Sequence, residues 1–160
     1  MVNYIHGNLF DFIERPTSND VSCRHVIVHV VNDVGAWGRG FVLNLSKHFV
    51  EPEKHYRMNW STRQLGDVDF VTTDRDDVVV ANVFGQHGLR SLKNKRPVDY
   101  DALFSGLVKL KEFANSQEVK IVFHMPKIGS GLGGGNWEII EMLVDHALRE
   151  FETNVYCFGN

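Results

Sequence analysis

Two stretches of this sequence hold the residues best suited to chemistry. HVVNDVGAWGRGFV (29–42) and MPKIGSGLGGGNWE (125–138) each run from an apolar segment through a glycine-rich loop toward a helical pattern. Glycine carries a high backbone entropy cost on folding, so the five glycines between residues 129 and 135 need a physical reason. Such loops let several backbone N–H groups converge on one anion without Cβ atoms in the way. The helix that follows adds unpaired N–H groups and the positive end of its dipole. Two loops in matching places predict a diphosphate gripped by backbone. No lysine follows the final glycines as GxxxxGK[ST] requires, which argues against a Walker-type nucleotide hydrolase. GAWGRG follows the second strand rather than the first and does not fit the dinucleotide fingerprint.

The elements that must position these loops are read from periodicity. Strands are expected over 2–6, 24–31, 67–73, 77–85, 119–126 and 153–159, with the two around the charged turn DRD forming a hairpin-like pair. Helical spacing covers 41–49, 51–62 with Pro52 in its first turn, 98–116, and 136–151 with Asn136 as N-cap. A helical turn is expected at LFDFI, and PTSND (16–20) reads as a polar break. Residues 86–97 form a loop. Strands alternating with helices, with some strands adjacent in sequence, imply a three-layer α/β/α sandwich around a mixed sheet. No internal linker appears, and 1–160 is expected to be one domain.

Composition narrows the function classes. Hydrophobic residues at 43% and charged residues at 23% fit a globular domain, and a net charge of -3 disfavours a general nucleic-acid or membrane-surface binder. Cys23 and Cys157 form neither a disulfide framework nor a CxxC pair and are expected to be buried reduced thiols in a cytoplasmic protein. No signal peptide or membrane span is expected. The eight histidines show no metal-ligand spacing, so no metal and no cofactor are expected.

The ordered set of Gly-Asn-Leu (7–9), HVVNDVGAWGRGFV, ANVFGQHG (81–88), RPVDYDAL (96–103) and MPKIGSGLGGGNWE resembles the macro domain over nearly the whole chain. The likeness is strongest to the branch holding the yeast-type ADP-ribose 1''-phosphate phosphatases and the small ADP-ribosyl-glutamate hydrolases. It implies ADP-ribose binding across the carboxyl edge of the sheet. Gly7, Asn8 and Leu9 would receive adenine; Asn8 stands where the family usually has Asp, and its carbonyl oxygen can still accept the amino group. Val30, Val31 and Asn32 lead into the first loop, where Trp37, Gly38, Arg39, Gly40, Phe41 and Val42 would wrap the diphosphate and distal ribose. Ile128, Gly129, Ser130, Gly131, Leu132, Gly133 and Gly134 would close from the other side, with 133–135 leaving room for an added phosphate or leaving group. Trp37 suits either a cleft wall or a structural lid, whereas Trp137 is expected to pack the last helix on the sheet.

The resemblance also orders the activities. The glutamate-ester hydrolases use a lysine and an aspartate that fall at Gln86 or His87 and at Gly133 here, so their lysine-adduct route does not fit. His29, Asn32, Gly35, Trp37, Gly38 and Gly40 match the phosphatase pattern. His29 is the first candidate for proton transfer and Asn32 would hold the distal ribose hydroxyls, with His87 a further histidine in a nearby loop. Asp33 suits either orienting a water or histidine, or capping its loop. The expected activity is hydrolysis of ADP-ribose 1''-phosphate. The alternatives are removal of ADP-ribose from ADP-ribosylated macromolecules, and non-catalytic reading of ADP-ribose. Lys93, Lys95 and Arg96 read as a solvated basic face.

Overall fold

The computed structural model describes residues 2–14 and 23–157; the polar break at 16–20 and residues 158–159 of the expected last strand lie outside them. The strands are β1 (Asn3–His6), β2 (Cys23–Asn32), β3 (Val68–Thr72), β4 (Val78–Gln86), β5 (Lys120–Met125) and β6 (Glu152–Cys157). The helices are α1 (Asp11–Glu14), α2 (Phe41–His48), α3 (Glu51–Asn59), α4 (Tyr100–Ser116) and α5 (Trp137–Leu148). The expected helix over 51–62 is split, since its last turn is a 3₁₀ turn at Trp60–Thr62.

One sheet in the order β1-β6-β5-β2-β4-β3 organises the described residues. β1, β6, β5, β2 and β4 run parallel, and β3 pairs antiparallel with β4 as the hairpin pattern predicts. The mixed three-layer sandwich is therefore present. Both faces of β2 are covered, so residues 26–28 are apolar and buried without alternation. Val26 and Val28 pack with Leu103, Leu107 and Leu110 of α4 and Ile140 and Val144 of α5. Ile27 and Val31 pack on the opposite face with Leu45 of α2 and Tyr56 of α3. The spacing 103, 107, 110, 114 keeps one stripe of α4 on the sheet. Trp137 packs against the α4–α5 core, and its Nε1 donates to the Tyr4 hydroxyl at 2.8 Å. Cys23 and Cys157 are half-buried at strand ends, more open than the buried thiols expected.

This topology sets the site. Because five strands are parallel, their carboxyl ends share one edge, and the loops after β1, β5, β2 and β4 stand along it in that order. With neighbouring strands about 4.8 Å apart, β1 and β4 are separated by roughly 19 Å. Only an extended ligand reaches from one to the other.

Candidate functional site

The loop after β2 begins at a register irregularity between Val31 and Asn32, which turns Asn32 into the loop. Its Nδ2 donates to the Ala36 carbonyl at 2.7 Å, and its Oδ1 accepts from the Val34 and Ala36 amides at 3.1 Å each. The Tyr56 hydroxyl donates toward the same residue, 2.8 Å from both its backbone oxygen and Oδ1. Burial pushes the Tyr56 phenol up to about 12, so it stays protonated and keeps that bond. Asn32 is thus the pin that shapes residues 33–36.

Beyond the pin, the backbone opens. Among the described residues, the N–H groups of residues 37–42 make no internal hydrogen bond. They lead into α2, whose N-cap is Gly40 and whose first turn holds no acid. By contrast, Asp99 caps α4 by accepting from the Ala102 amide, and Asn136 caps α5 by accepting from the Glu138 amide. The positive end of α2 is left for an external anion. Trp37 is the structural lid of the two roles open to it. It is 4% exposed, its Nε1 donates to Ser46 Oγ at 2.8 Å, and Ser46 donates to Glu53. Arg39 is exposed, Phe41 half-buried and Val42 buried in the α2–α3 core.

The loop after β5 has a different construction. A Cβ on Gly133 would lie 2.6 Å from the Gly129 carbonyl oxygen, and one on Gly134 would lie 2.2 Å from that of Lys95. These glycines are needed because the loop packs on itself and on the 95–98 strand-like segment, and the room expected at 133–135 is absent. The Gly134 amide donates to Gly131, and the Gly133 carbonyl accepts from Val98. Ile128 is buried, Gly129 closes on Val98, and the Ser130 hydroxyl donates to Lys127. Gly131 and Leu132 are exposed, and their amides make no hydrogen bond among the described residues. A Cβ on Gly38 or Gly131 would meet nothing within 4 Å, whereas one on Gly40 would lie 3.3 Å from Leu132 Cδ1. The two loops therefore meet at Gly40 and Leu132, with open space beside Gly38 and Gly131.

At the β1 end, Asn8 Oδ1 accepts from the Phe10 amide at 2.9 Å, leaving one lone pair for another donor. The Gly7 amide donates to Cys157 O, tying the turn to β6. Leu9 and Phe10 are buried, and Phe10 stacks on His48 with centroids 4.1 Å apart. Val30 is half-buried and points toward Gly85, on the face away from α2.

His29 and His87 separate sharply. His29 is 2% exposed, its Nε2 lies 2.6 Å from Asn82 Oδ1, and its ring packs edge-on against Trp37. Burial lowers it to about 4, against a weaker opposing pull from the Asn82 bond, so it is neutral at pH 7. It lies beneath the first loop, against Trp37 and Phe41, and is closed off from its open surface. His87, just past β4, sits instead at the rim, where its Nδ1 lies 2.7 Å from Asp33 Oδ2. The Gly88 amide donates to Asp33 Oδ1 at 2.8 Å. Burial works to raise the Asp33 carboxyl, but the bonds from Gly88 and His87 outweigh it and hold it below the usual carboxylate value. The hydrogen bond to Asp33, and then its charge, raise His87 above the ordinary histidine value. This pairing of residues 54 apart was not legible as a pair, because it depends on the register of β2 beside β4.

No family model matches the chain. A solved structure described as a macrodomain protein from Streptomyces coelicolor superposes with a TM-score of 0.78 and 34% identity, covering 99% of this chain and 100% of that one. The chain belongs to the macrodomain family. Among curated relatives of this macrodomain, the ADP-ribose 1''-phosphate phosphatase of Debaryomyces hansenii is 26% identical, over 98% of each chain. The mouse chromodomain-helicase-DNA-binding protein 1-like is 31% identical over 98% of this chain, but the match spans only 18% of that protein's length. In this macrodomain the position expected for a hydrolase aspartate, Gly133, has no space for any side chain in the loop's present conformation. Gln86 and His87 stand where the lysine is expected, and His87 is exposed.

Proposed function

We propose that this macrodomain binds ADP-ribose through the gap between its two glycine loops and hydrolyses ADP-ribose 1''-phosphate to ADP-ribose and inorganic phosphate. The observation that carries the reading is the run of unpaired amides at 37–42, leading into an uncapped helix and facing the exposed amides of Gly131 and Leu132. Such donors are preorganised for phosphate oxygens and need no lysine. With adenine at Asn8 and the diphosphate between the loops, the order of strands directs the distal ribose and its C1'' toward Asp33 and His87. The full-length similarity to a protein named as a phosphatase of this ester supports the choice of reaction.

One observation favours a second reading, removal of ADP-ribose from macromolecules. Beyond His87 lies an open hollow of about 390 Å³ lined by Asn94, Arg96, Val98, Tyr100 and Asp101, which would accept a leaving group larger than phosphate. The test is release of inorganic phosphate from ADP-ribose 1''-phosphate, with calorimetric titration of ADP-ribose on the same sample. Turnover with saturable binding is expected. Binding without turnover would move the reading to conjugates or to a non-catalytic reader, and absence of both would overturn it.

A further inference from the structure

We infer that His87 is the general acid of this site and that Asp33 is the residue positioning it. The inference rests on the function proposed above, because it needs the C1'' end of the ligand at the carboxyl ends of β2 and β4. Three features of the structure carry it. The His87 backbone is tied to Pro97 and Asn94, but its ring is held through Nδ1; the side chain is 76% exposed, and Nε2 makes no hydrogen bond among the described residues. Asp33 is itself fixed at the end of β4, its amide donating to Gln86 O at 3.1 Å and its Oδ1 receiving the amide of Gly88 in the loop that follows. The loop bearing His87 is joined to the second glycine loop through Val98 N to Gly133 O at 3.0 Å and Arg90 Nη1 to Gly131 O at 3.4 Å. His87 therefore stands beside both loops, with its free nitrogen toward solvent and its tautomer set by a carboxylate, the arrangement a proton donor requires.

The other titratable and charged groups around it are few. Asp99, at the start of α4, adds a small pull in the same direction as Asp33. Arg96 and Asp101 line the hollow beside it with opposite charges, and Arg96 also stacks over the Tyr100 ring at 4.4 Å. Carboxylates thus dominate: the Asp33 bond and charge, with Asp99, shift His87 toward its imidazolium form. In the step assigned to it, the oxygen of water bonds to phosphorus as the bond from phosphorus to the C1'' oxygen breaks. His87 Nε2 gives its proton to that oxygen, which leaves as the anomeric hydroxyl of ADP-ribose. The dihydrogen phosphate formed returns one proton to His87 and departs as hydrogen phosphate. Water is the only co-reactant.

The test compares the full chain with His87→Gln and Asp33→Asn by phosphate release across pH, with ADP-ribose affinity from calorimetry. His87→Gln is expected to lower kcat by about 100-fold or more while changing ADP-ribose Kd by less than about threefold. Asp33→Asn is expected to move the alkaline fall in kcat to lower pH, since the group that raises His87 has lost its charge. Wild-type kcat and an unmoved alkaline limb in His87→Gln would overturn the inference and leave the phosphatase reading standing. So would equal losses of binding and turnover, which mark a structural role. A wild-type chain that binds ADP-ribose but releases no phosphate would overturn both together.

Discussion

The two strand–loop–helix units look alike in sequence and are built in opposite ways. In the unit from β2 to α2, one buried asparagine and one tyrosine hold the turn, and the backbone from 37 to 42 is left with its donors unpaired. In the unit from β5 to α5, Asn136 closes the helix end, and Gly133 and Gly134 exist so that the loop can pack against itself and Lys95. A glycine-rich loop is therefore not by itself an anion site. What matters is whether the close approach that excludes Cβ comes from the protein or from outside. By that criterion Gly38 and Gly131 border the proposed site, whereas Gly133 and Gly134 hold the loop together.

Substitutions that convert one kind of glycine into the other would break this contrast most visibly. Gly134→Ala places a Cβ 2.2 Å from the Lys95 oxygen at a φ of 69°, so it is expected to lower stability in urea unfolding. Summing left-handed backbone strain and overpacking, the loss is on the order of 4 kcal/mol. An unchanged midpoint would show that the loop is not packed as described. The next effect concerns pH. His29 is held at about 4, below its unfolded value of 6.5, so the unfolded chain binds more protons between them. Stability is expected to be flat above pH 6.5 and to fall toward pH 4 by about 3 kcal/mol from this residue. Replacing His29 by Gln, which keeps a polar group for Asn82, should flatten that decline.

Asn32→Ala comes third. It removes the side-chain partner of the Val34 and Ala36 amides and the Ala36 carbonyl, leaving Tyr56 only the backbone oxygen, and should cost about 2 kcal/mol of stability. It should also weaken ADP-ribose binding, because the amides beyond the pin lose their shape; a stable variant with unchanged binding would sever that link. Gly38→Ala and Gly131→Ala are expected to shift stability least, within about 0.5 kcal/mol, since nothing lies near the added methyl groups. Yet each should weaken ADP-ribose binding by about tenfold, read calorimetrically. Loss of stability with intact affinity would reverse the assignment of the two glycine classes.

Much of the architecture was legible because it is local. The β-branched run of β2, the stripe on α4 and the cap at Asn136 each announce themselves within a few residues. The site was legible only as loops. Asn32 and Trp37 stood out as residues by the ligand, but their partners Tyr56 and Ser46 lie on α3 and α2, and only packing shows the bonds that hold them in place. The room expected at 133–135 vanished because Lys95, far away in the chain, passes beneath it. His29 was drawn in by its neighbours in sequence, although alternation along β2 buries it among Trp37, Phe41 and Asn82. The signal for His87 was its position directly past β4; its bond to Asp33 needed the sheet.

The most direct test is a crystal structure of the chain with ADP-ribose. The account predicts diphosphate oxygens bonded to backbone amides of residues 37–42 and of Gly131 or Leu132, adenine at Asn8, and the distal C1'' hydroxyl toward His87. A diphosphate seated elsewhere, or the gap between Gly38 and Gly131 left empty at saturating ligand, would contradict it.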